Sequence, residues 1–213
     1  MLKANFITAQ EAAEKIQDGS TLCTIGMTLV SASESILKAI EKRFETVGHP
    51  ADITLVHSCG QSDRKDGIQH LAHEGLVKRI IGSHWGLQPR WMEMIANSQV
   101  EAYCLPQGQI AQLYRSMACG LPGKMSKVGL GTFIDPRVEG GKMNDRTKPL
   151  PDIVDILEYS GEEYMFYKEI PLDTVLIRGT VCDEMGNLTT TEEAMKLEVL
   201  PAVLAAKRYG CLL

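Results

Sequence analysis

Short apolar segments of strand length alternate with helix-patterned segments through the first half of the chain, and this alternation most strongly constrains the fold. Thr8-Ala-Gln-Glu11 forms a capping box, which predicts a helix from about residue 9 to residue 17. A buried strand, "STLCTIG", follows it directly. Further strands are predicted at 52–58, 79–84 and 100–105, with helices that begin near Ser33, His70, Arg90 and Gln109. Such alternation is typical of βαβ units in a parallel sheet.

The second half of the chain departs from this alternation. Residues 127–152 are rich in Gly, Pro and Asp and predict a long loop. Residues 153–170 are typical of a β-hairpin that turns at Ser160-Gly161. Residues 173–180 then predict a strand that returns to the main sheet. We therefore expect a parallel sheet with a hairpin excursion.

The last thirty residues predict a turn, a helix and the beginning of one more strand. Residues 182–189 fit a turn, and 192–208 fit a helix. Pro201 either kinks this helix or separates an extended piece from a final helix. The last segment, 209–213, starts as a strand. No internal repeat interrupts the pattern, so residues 1–213 are expected to form one domain.

The composition favours a globular protein that has neither nucleic acid nor membrane as a partner. About 44% of the 213 residues are hydrophobic, which is enough for a full core. Acidic residues outnumber basic ones by 27 to 22, the formal net charge is −5, and no Lys/Arg-rich block occurs. This balance argues against a nucleic acid or an anionic membrane surface as a partner.

The cysteines favour a reducing compartment, because they are scattered and contain no C-x-x-C pair. They are Cys23, Cys59, Cys104, Cys119, Cys182 and Cys211. The first sixteen residues lack the apolar core of a signal peptide, and the most apolar runs are too short to span a bilayer. We expect a cytoplasmic protein with no metal site and no permanently bound cofactor.

Ligands of open parallel sheets bind beyond the carboxyl ends of the strands. The loops that begin near Gly26, His57, His84, Leu105 and Leu130 are therefore the candidate site. Gly26 to Ser33 links a strand to a helix, so its backbone N–H groups can point at an anion or an oxyanion. An ordinary strand-to-helix turn is the simpler interpretation of the same residues.

The polar stretch from His57 to Gly67 is expected to be exposed. A histidine with Cys and Asp nearby could activate a nucleophile. Nothing in the spacing aligns a base with a thiol, so a polar loop with a hydrogen-bonded His57 is the simpler interpretation. Trp85, beside His84, could line a pocket or pack in the core.

Gln107 follows a strand and precedes a helix. Its amide offers two uncharged donors, which suits a developing oxyanion or a carbonyl oxygen. The alternative is a loop glutamine bound to water. Glycines in "GLGTFIDPR", from Gly129 to Arg137, permit close backbone approach to a ligand or form a tight turn. By themselves these residues predict a crevice with polar loop groups but no particular reaction.

Several stretches, taken in order, resemble the N-terminal half of family I CoA-transferases, in particular the acetate/propionate type of short-chain acyl-CoA transferase. The resemblance covers nearly the whole chain, and "GTFIDPR", "GGK" and "EEYMFYK" are specific to that group. It implies the open, mostly parallel α/β sheet of the CoA-transferase fold, flanked by helices. The stretches are "EAAEKIQDGSTLCTIGM…SASESILKAIEKRF", "LAHEGLVKRIIGSHWG", "VEAYCLPQGQIAQLYR", "VGLGTFIDPRVEGGKMN", "GEEYMFYK" and "VLIRGTVCDEMGNLT".

The resemblance implies transfer of CoA from an acyl-CoA to a free carboxylate by a ping-pong route, with CoA as a substrate. A glutamate attacks the thioester and expels CoA thiolate, which leaves an acyl-glutamyl anhydride. The thiolate then attacks the anhydride and leaves an enzyme–CoA thioester. The incoming acid repeats these steps in reverse. Covalent catalysis thus splits one exchange into easier steps, and each passes through an oxyanion that needs donors.

The sequence departs from the family pattern in three ways. The nucleophilic glutamate of such enzymes lies in the C-terminal half, or on a separate β subunit, and is expected to be absent from this chain. Their first loop often reads Gly-Gly-Phe-x-x-x-Gly-x-Pro-Glu, of which only Gly26 and Glu34 match here. The final "YGCLL" stops within the strand that relatives complete. The domain is therefore expected to be an N-terminal (α) domain truncated at its last strand.

The resemblance also implies roles for individual residues. Gln107 matches the Pro-Gln-Gly of the family and is the expected donor to the oxyanion or substrate carboxylate. The other expected substrate-binding residues are Gly26, Met27, His84, Trp85, Gly108 and Gly131. Expected partners are short-chain acyl-CoA, carboxylic acids, the C-terminal (β) half and further copies in a homo-oligomer. The alternative is a non-catalytic binding or assembly module with the same fold.

Overall fold

A parallel five-stranded sheet lies at the centre of the computed structural model, which describes residues 4–210. The helices are α1 (Ala9–Glu14), α2 (Glu34–Val47), α3 (Pro89–Ala96), α4 (Gln107–Ala118) and α5 (Val199–Arg208), with a 3₁₀ helix at Gly67–Leu71. The strands are β1 (Thr21–Thr24), β2 (Ile53–His57), β3 (Val77–Gly82), β4 (Glu101–Cys104), β5 (Gly123–Ser126), β6 (Val154–Tyr159), β7 (Glu162–Lys168), β8 (Thr174–Leu176), β9 (Val181–Cys182) and β10 (Leu188–Thr189).

The main sheet has the order β4-β3-β2-β1-β8, and every neighbouring pair is parallel. The predicted α/β class and the return of 173–180 to this sheet are confirmed. Chain order runs in one direction from β1 to β4, while β8 adds on the other side of β1. The order therefore reverses beside β1, and crevices in open sheets form at such a reversal.

Both faces of the sheet are covered, because successive side chains of each strand enter different cores. Leu22, Leu55, Ile80 and Ala102 pack with residues of α1, α2 and α3, while their neighbours Cys23, Val56, Ile81 and Tyr103 pack with α4 and α5. All eight are at most 2% exposed. These strands therefore contain continuous apolar runs rather than the apolar–polar alternation of a half-exposed sheet.

A three-stranded antiparallel sheet, in the order β5-β7-β6, forms the excursion. The predicted hairpin is confirmed, with Ser160 and Gly161 at its turn and φ values of 54° and 76°. The third strand, β5, has no counterpart in the sequence prediction. It pairs with β7 where Gly123 lies so close to Tyr167 that an added Cβ would be 2.4 Å from the Tyr167 carbonyl oxygen.

Two predicted helices begin elsewhere in the structure. The segment predicted at 70–76 is a 3₁₀ helix over Gly67–Leu71. The final helix begins at Val199 rather than at 192, which places Pro201 in its first turn. The N–H groups of a first turn have no intrahelical partner, so a proline fits there and need not kink the helix.

The loop 127–152 covers the outer edge of the main sheet. The backbone N–H of Met143 donates to the carbonyl of Ala102 (2.9 Å), and the N–H of Cys104 donates to Gly141 (2.8 Å). The Thr147 hydroxyl accepts from the N–H of Ala102 at 2.8 Å. Because β4 is the edge strand, these bonds satisfy backbone groups that would otherwise be free to pair with another chain.

The segment after β8 contains the predicted turn, closed by the short antiparallel pair β9 and β10. The Asp183 carboxylate accepts from the N–H groups of Met185 and Asn187 at 2.9 and 2.8 Å. The last predicted strand falls on 209–213, and residues 211–213 lie outside the described residues. In the described part of the chain, no helix has the length and apolar character needed to cross a bilayer.

Candidate functional site

A chain of buried hydrogen bonds links the loops at the carboxyl ends of β1, β2 and β3. The Gln61 amide nitrogen donates to the carbonyl oxygen and the hydroxyl of Thr24 at 2.9 and 3.0 Å. With the Gln88 amide oriented so that both of its atoms are paired, it accepts from the backbone N–H of Gln61 (3.1 Å) and donates to the carbonyl of His84 (3.2 Å). Gln61 and Gln88 are at most 1% exposed. We call Thr24, His57, Gln61 and Gln88 the floor of the crevice.

His57 is buried completely, so the prediction of an exposed His57 loop is wrong for its first part. Ser58 to Ser62 are buried as well, and exposure begins at Asp63. The ring fits because Gly82 lies beside it, where an added Cβ would be 2.4 Å from the imidazole. The sequence pattern missed this arrangement because a polar segment is normally assigned to the surface.

The environment of His57 keeps its imidazole neutral. Its Nδ1 lies 2.9 Å from the Cys59 carbonyl oxygen, and its Nε2 is buried without a hydrogen-bond partner among the described residues. Burial lowers the pKa of His57 to about 4. The thiol of Cys59 is buried too, and burial raises its pKa. A buried thiol of raised pKa is a poor nucleophile, so this loop supports the floor and does not form a His–Cys pair.

The loop that begins at Gly26 is held in place by contacts with the floor. Gly26 is buried against Gln61, and an added Cβ would lie 3.1 Å from the Gln61 Oε1. The backbone of Met27 pairs with that of Val30, and the N–H of Thr28 donates to the Gly60 carbonyl at 2.9 Å. Met27 remains partly exposed. The loop is therefore a tight turn held at its base. Of its two candidate substrate-binding residues, Gly26 is buried and Met27 is partly exposed.

Gln107 and Gly108 are the first two residues of α4 and are both exposed. The Gln107 amide has no hydrogen-bond partner among residues 4–210. The backbone of the preceding strand is fixed, because the N–H of Leu105 donates to the Gly82 carbonyl at 2.9 Å. The amide thus stands at the positive end of a helix, where a developing anion is favoured.

His84 and Trp85 lie on one loop but differ in exposure. His84 is exposed, and its imidazole has no hydrogen-bond partner in the described structure. Trp85 is only 6% exposed, belongs to the core, and meets the His57 ring edge-on at 6.0 Å between centroids. Trp85 also lines an open groove, so both interpretations of this residue apply. We call Met27, His84, Gln107 and Gly108 the rim of the crevice.

Gly131 lies in the loop that packs on the three-stranded antiparallel sheet, not in the loops of the crevice. Its N–H donates to the Asp135 carboxylate at 2.9 Å, and its φ is +69°. Hydrogen bonds from Arg137 lower the pKa of Asp135, and Arg137 also pairs with Glu163 at 2.9 Å. The loop therefore forms a tight turn, the second of the two predicted possibilities, and is anchored to β7. Its contacts join it to the antiparallel sheet rather than to the rim.

A cluster of charges lies on the outer side of the 3₁₀ helix, and spacing in the sequence did not reveal it. His70 contacts Glu41 through Nδ1 and Glu34 through Nε2, the latter at 2.8 Å. Glu34, Asp66 and His70 lie close enough to hold a metal ion. Lys38 already pairs with Glu34 and Asp66 at 3.1 and 3.2 Å, so ion pairs account for the cluster.

Comparison with known proteins defines the family to which this chain belongs. Residues 6–209 match the family described as Coenzyme A transferase. The chain is 42% identical over 208 residues to a caffeate CoA-transferase of Acetobacterium woodii, and the match covers 97% of this chain and 39% of that protein. It is 37% identical over 206 residues to the acetate CoA-transferase YdiF of Escherichia coli K12, with 96% and 38% covered. The chain belongs to the coenzyme A transferase family.

Solved structures agree with this assignment. A YdiF acyl-CoA transferase from Escherichia coli O157:H7, in a thioester complex with CoA, has a TM-score of 0.93 at 35% identity, with 97% of this chain and 40% of that one covered. Glutaconate CoA-transferase of Acidaminococcus fermentans shares the fold at a TM-score of 0.72 and 17% identity, with 94% and 64% covered. The chain spans about two-fifths of the length of the caffeate CoA-transferase and of YdiF.

Proposed function

We propose that this chain forms the N-terminal half of an acyl-CoA:carboxylate CoA-transferase. The observation that carries the proposal is the similarity to the YdiF thioester complex with CoA, at a TM-score of 0.93 over 97% of the chain. A separate relative, the acetate CoA-transferase subunit alpha of Escherichia coli K12, is 26% identical and is covered over 83% of its length. A unit of about this length therefore occurs as a subunit, which supports a partner half.

The proposed reaction has two covalent stages. A glutamate of the second half attacks the thioester carbonyl of acyl-CoA, and the carbon–sulfur bond breaks to leave an anhydride and CoA thiolate. The thiolate attacks the glutamyl carbonyl and releases the acid as its carboxylate, leaving an enzyme–CoA thioester. The acceptor carboxylate then repeats both steps in reverse. No proton, metal or redox partner is needed for this balance.

Gln107 supplies the donor to the reacting oxygen in this proposal. Its amide is exposed and unpartnered in residues 4–210, and it stands at the N-terminus of α4. Oxyanion donors act by being in place before charge develops. Gly108 would add a backbone N–H beside it. Met27 and His84 would border the acyl group, while Gly26 holds the first loop against Gln61.

The identity of the carboxylic acid that accepts CoA is also part of the proposal. Acetate and propionate are the acceptors that fit the resemblance to the short-chain type, and one relative is named for acetate. Another relative, at 42% identity, is named for caffeate, which is much larger. The acceptor panel should therefore contain acetate, propionate, butyrate and a hydroxylated cinnamate.

The test is complementation by a second half. The chain is co-expressed with the C-terminal part of YdiF, and the complex is isolated by gel filtration. We expect exchange of CoA between propionyl-CoA and acetate from the complex and none from either part alone. A complex that assembles but exchanges no CoA with any acid of the panel would contradict the proposal and favour a non-catalytic assembly module.

The proposal also predicts how the oligomer behaves. The complex is expected to be a homo-oligomer of assembled pairs, and its mass in solution can be measured by light scattering. A second half that carries its glutamate replaced by glutamine should assemble equally well and exchange no CoA. Exchange at the unchanged rate by that variant would exclude the glutamyl route.

A further inference from the structure

An open groove lies between α3, the end of β4 and the loop 127–152. It has a volume of about 490 Å³, within the range of roughly 300–1,000 Å³ that is usual for small-molecule sites. The residues that follow β3, from Ser83 to Gly86, form one side, and the other sides are apolar. The lining residues are Ser83, His84, Trp85, Gly86, Met92, Ile95, Ala96, Cys104 and Met143.

The walls of the groove expose apolar surface that should be covered when the protein functions. Met92 is 52% exposed and Met143 is 41% exposed, although they belong to different segments. Contiguous exposed apolar surface of this kind is typical of binding sites. Among the described residues that line the groove none is Lys or Arg, so the phosphates of CoA are poorly suited to it.

We infer that this groove takes the acyl part of the substrate and that it fits an aryl acyl group better than an acetyl group. The inference rests on the proposed function and names its substrate class. An acetyl group has a single methyl beyond its carbonyl and would leave most of the groove wet. A ring joined to the carbonyl by a short spacer would cover the methionines and Trp85.

The chemistry of the walls favours an aromatic ring. Two thioethers and an indole contribute to the apolar lining, together with Ile95 and Ala96. Methionine sulfur makes favourable contacts with ring edges. His84 stands on the lining with an unpartnered imidazole, which can hydrogen-bond a ring hydroxyl. The thiol of Cys104 is no competitor for this role, because it already donates to the Ser83 carbonyl oxygen at 3.1 Å.

The groove lies within reach of the reacting carbonyl. Cys104 lines the groove, and Gln107 follows three residues later. Three residues span at most roughly 11 Å between Cα atoms. An acyl group whose carbonyl meets the Gln107 amide can therefore place a ring in the groove if a short chain separates the two.

The test fills the groove from an exposed position in the assembled enzyme. Ala96, the last residue of α3, lines the groove and is exposed, so Ala96→Trp adds bulk without crowding a core. We expect the ratio of kcat/KM for 4-hydroxycinnamate to that for acetate to fall at least tenfold, in line with the roughly 10–200-fold selectivity of apolar pockets. Glu93→Trp, exposed on the same helix outside the groove, should leave the ratio unchanged.

Each outcome separates this inference from the proposed function. If neither acid accepts CoA, the proposed function fails first. If acetate accepts CoA but 4-hydroxycinnamate does not, or if Ala96→Trp leaves the ratio unchanged, the aryl assignment is overturned alone. If Ala96→Trp prevents assembly while Glu93→Trp does not, the second half covers the groove, which also overturns the assignment.

Discussion

The floor and the rim of the crevice follow the same strands but use polar side chains in opposite ways. In the floor, Gln61 and Gln88 are buried and hydrogen-bonded to neighbouring loops. In the rim, Gln107 is exposed and has no hydrogen-bond partner in the described residues. Most buried polar groups are paired within the protein, as the amide nitrogens of the floor are, whereas exposed amides are free to bind a ligand. The comparison predicts that floor changes alter stability and rim changes alter turnover.

The largest expected effect is on turnover, from Gln107→Ala in the assembled enzyme. Loss of one preorganised oxyanion donor costs on the order of 100–1,000-fold in kcat. The unfolding midpoint in urea should not change, because the amide is exposed and unpartnered. Gln112→Ala, at an exposed position of the same helix, is the control and should retain full activity. Normal turnover by Gln107→Ala would remove Gln107 from the mechanism.

The next effect is on stability, from Gly82→Ala. The added Cβ would lie 2.4 Å from the His57 ring, and both residues are buried. Overpacking of this kind costs roughly 1–3 kcal/mol of unfolding free energy, measured by urea denaturation. Gly108→Ala meets nothing within 4 Å and is the matched control. An equal loss in both variants would show that the floor is no more tightly packed than the rim.

A smaller effect concerns how the free energy of unfolding changes as the pH falls below 7. The unfolded chain protonates His57 near pH 6.5, but burial lowers the pKa of the folded state to about 4. The contribution of His57 is therefore present above pH 6.5 and is lost as the pH falls toward 4. The slope should reach about 1.4 kcal/mol per pH unit. Urea unfolding between pH 7 and pH 5 should show a shallower slope for His57→Gln; identical slopes would contradict a buried neutral imidazole.

The smallest effect distinguishes this histidine from His70, which lies outside the floor. Burial alone would lower the pKa of His70, but hydrogen bonds with Glu41 and Glu34 outweigh it and raise the pKa. Its contribution is therefore full below pH 6.5 and is lost as the pH rises through the raised folded value. Thermal unfolding at pH 6, 7 and 8 should show this decline, and His70→Gln should reduce it. A decline of equal size in the variant would assign it to other groups.

The alternation of strands and helices that builds the main sheet could be predicted because each strand carries its own apolar run. β5 could not, because its only buried residue in Gly123–Ser126 is a glycine and its pairing depends on β7. The start of α5 at Val199 instead of residue 192 also depends on contacts with distant residues. Residues 192–198 include good helix formers, yet Ser58 and Ser31 hold the segment through Glu198 and the Met195 carbonyl at 3.0 and 3.1 Å.

The candidate site was predictable in part. Gln107 could be singled out because its position between a strand and a helix is local information. Gln61 and Gln88 could not, since a glutamine in a polar loop gives no sign of burial. Their burial depends on Gly26 and Gly60, which admit the close approach of side chains from other loops. The burial of His57 could not be predicted for the same reason, because a histidine in a polar segment is normally assigned to the surface.

The sequence by itself determined the parallel α/β sheet, the hairpin and the family resemblance, because apolar periodicity, turn residues and motifs are read within short windows. Only the tertiary structure decided which polar residues form the floor and which form the rim. That distinction depends on contacts between loops that are distant in sequence. The physical reason is that burial turns an amide into a structural hydrogen-bonding group, while exposure leaves the same amide free for a ligand.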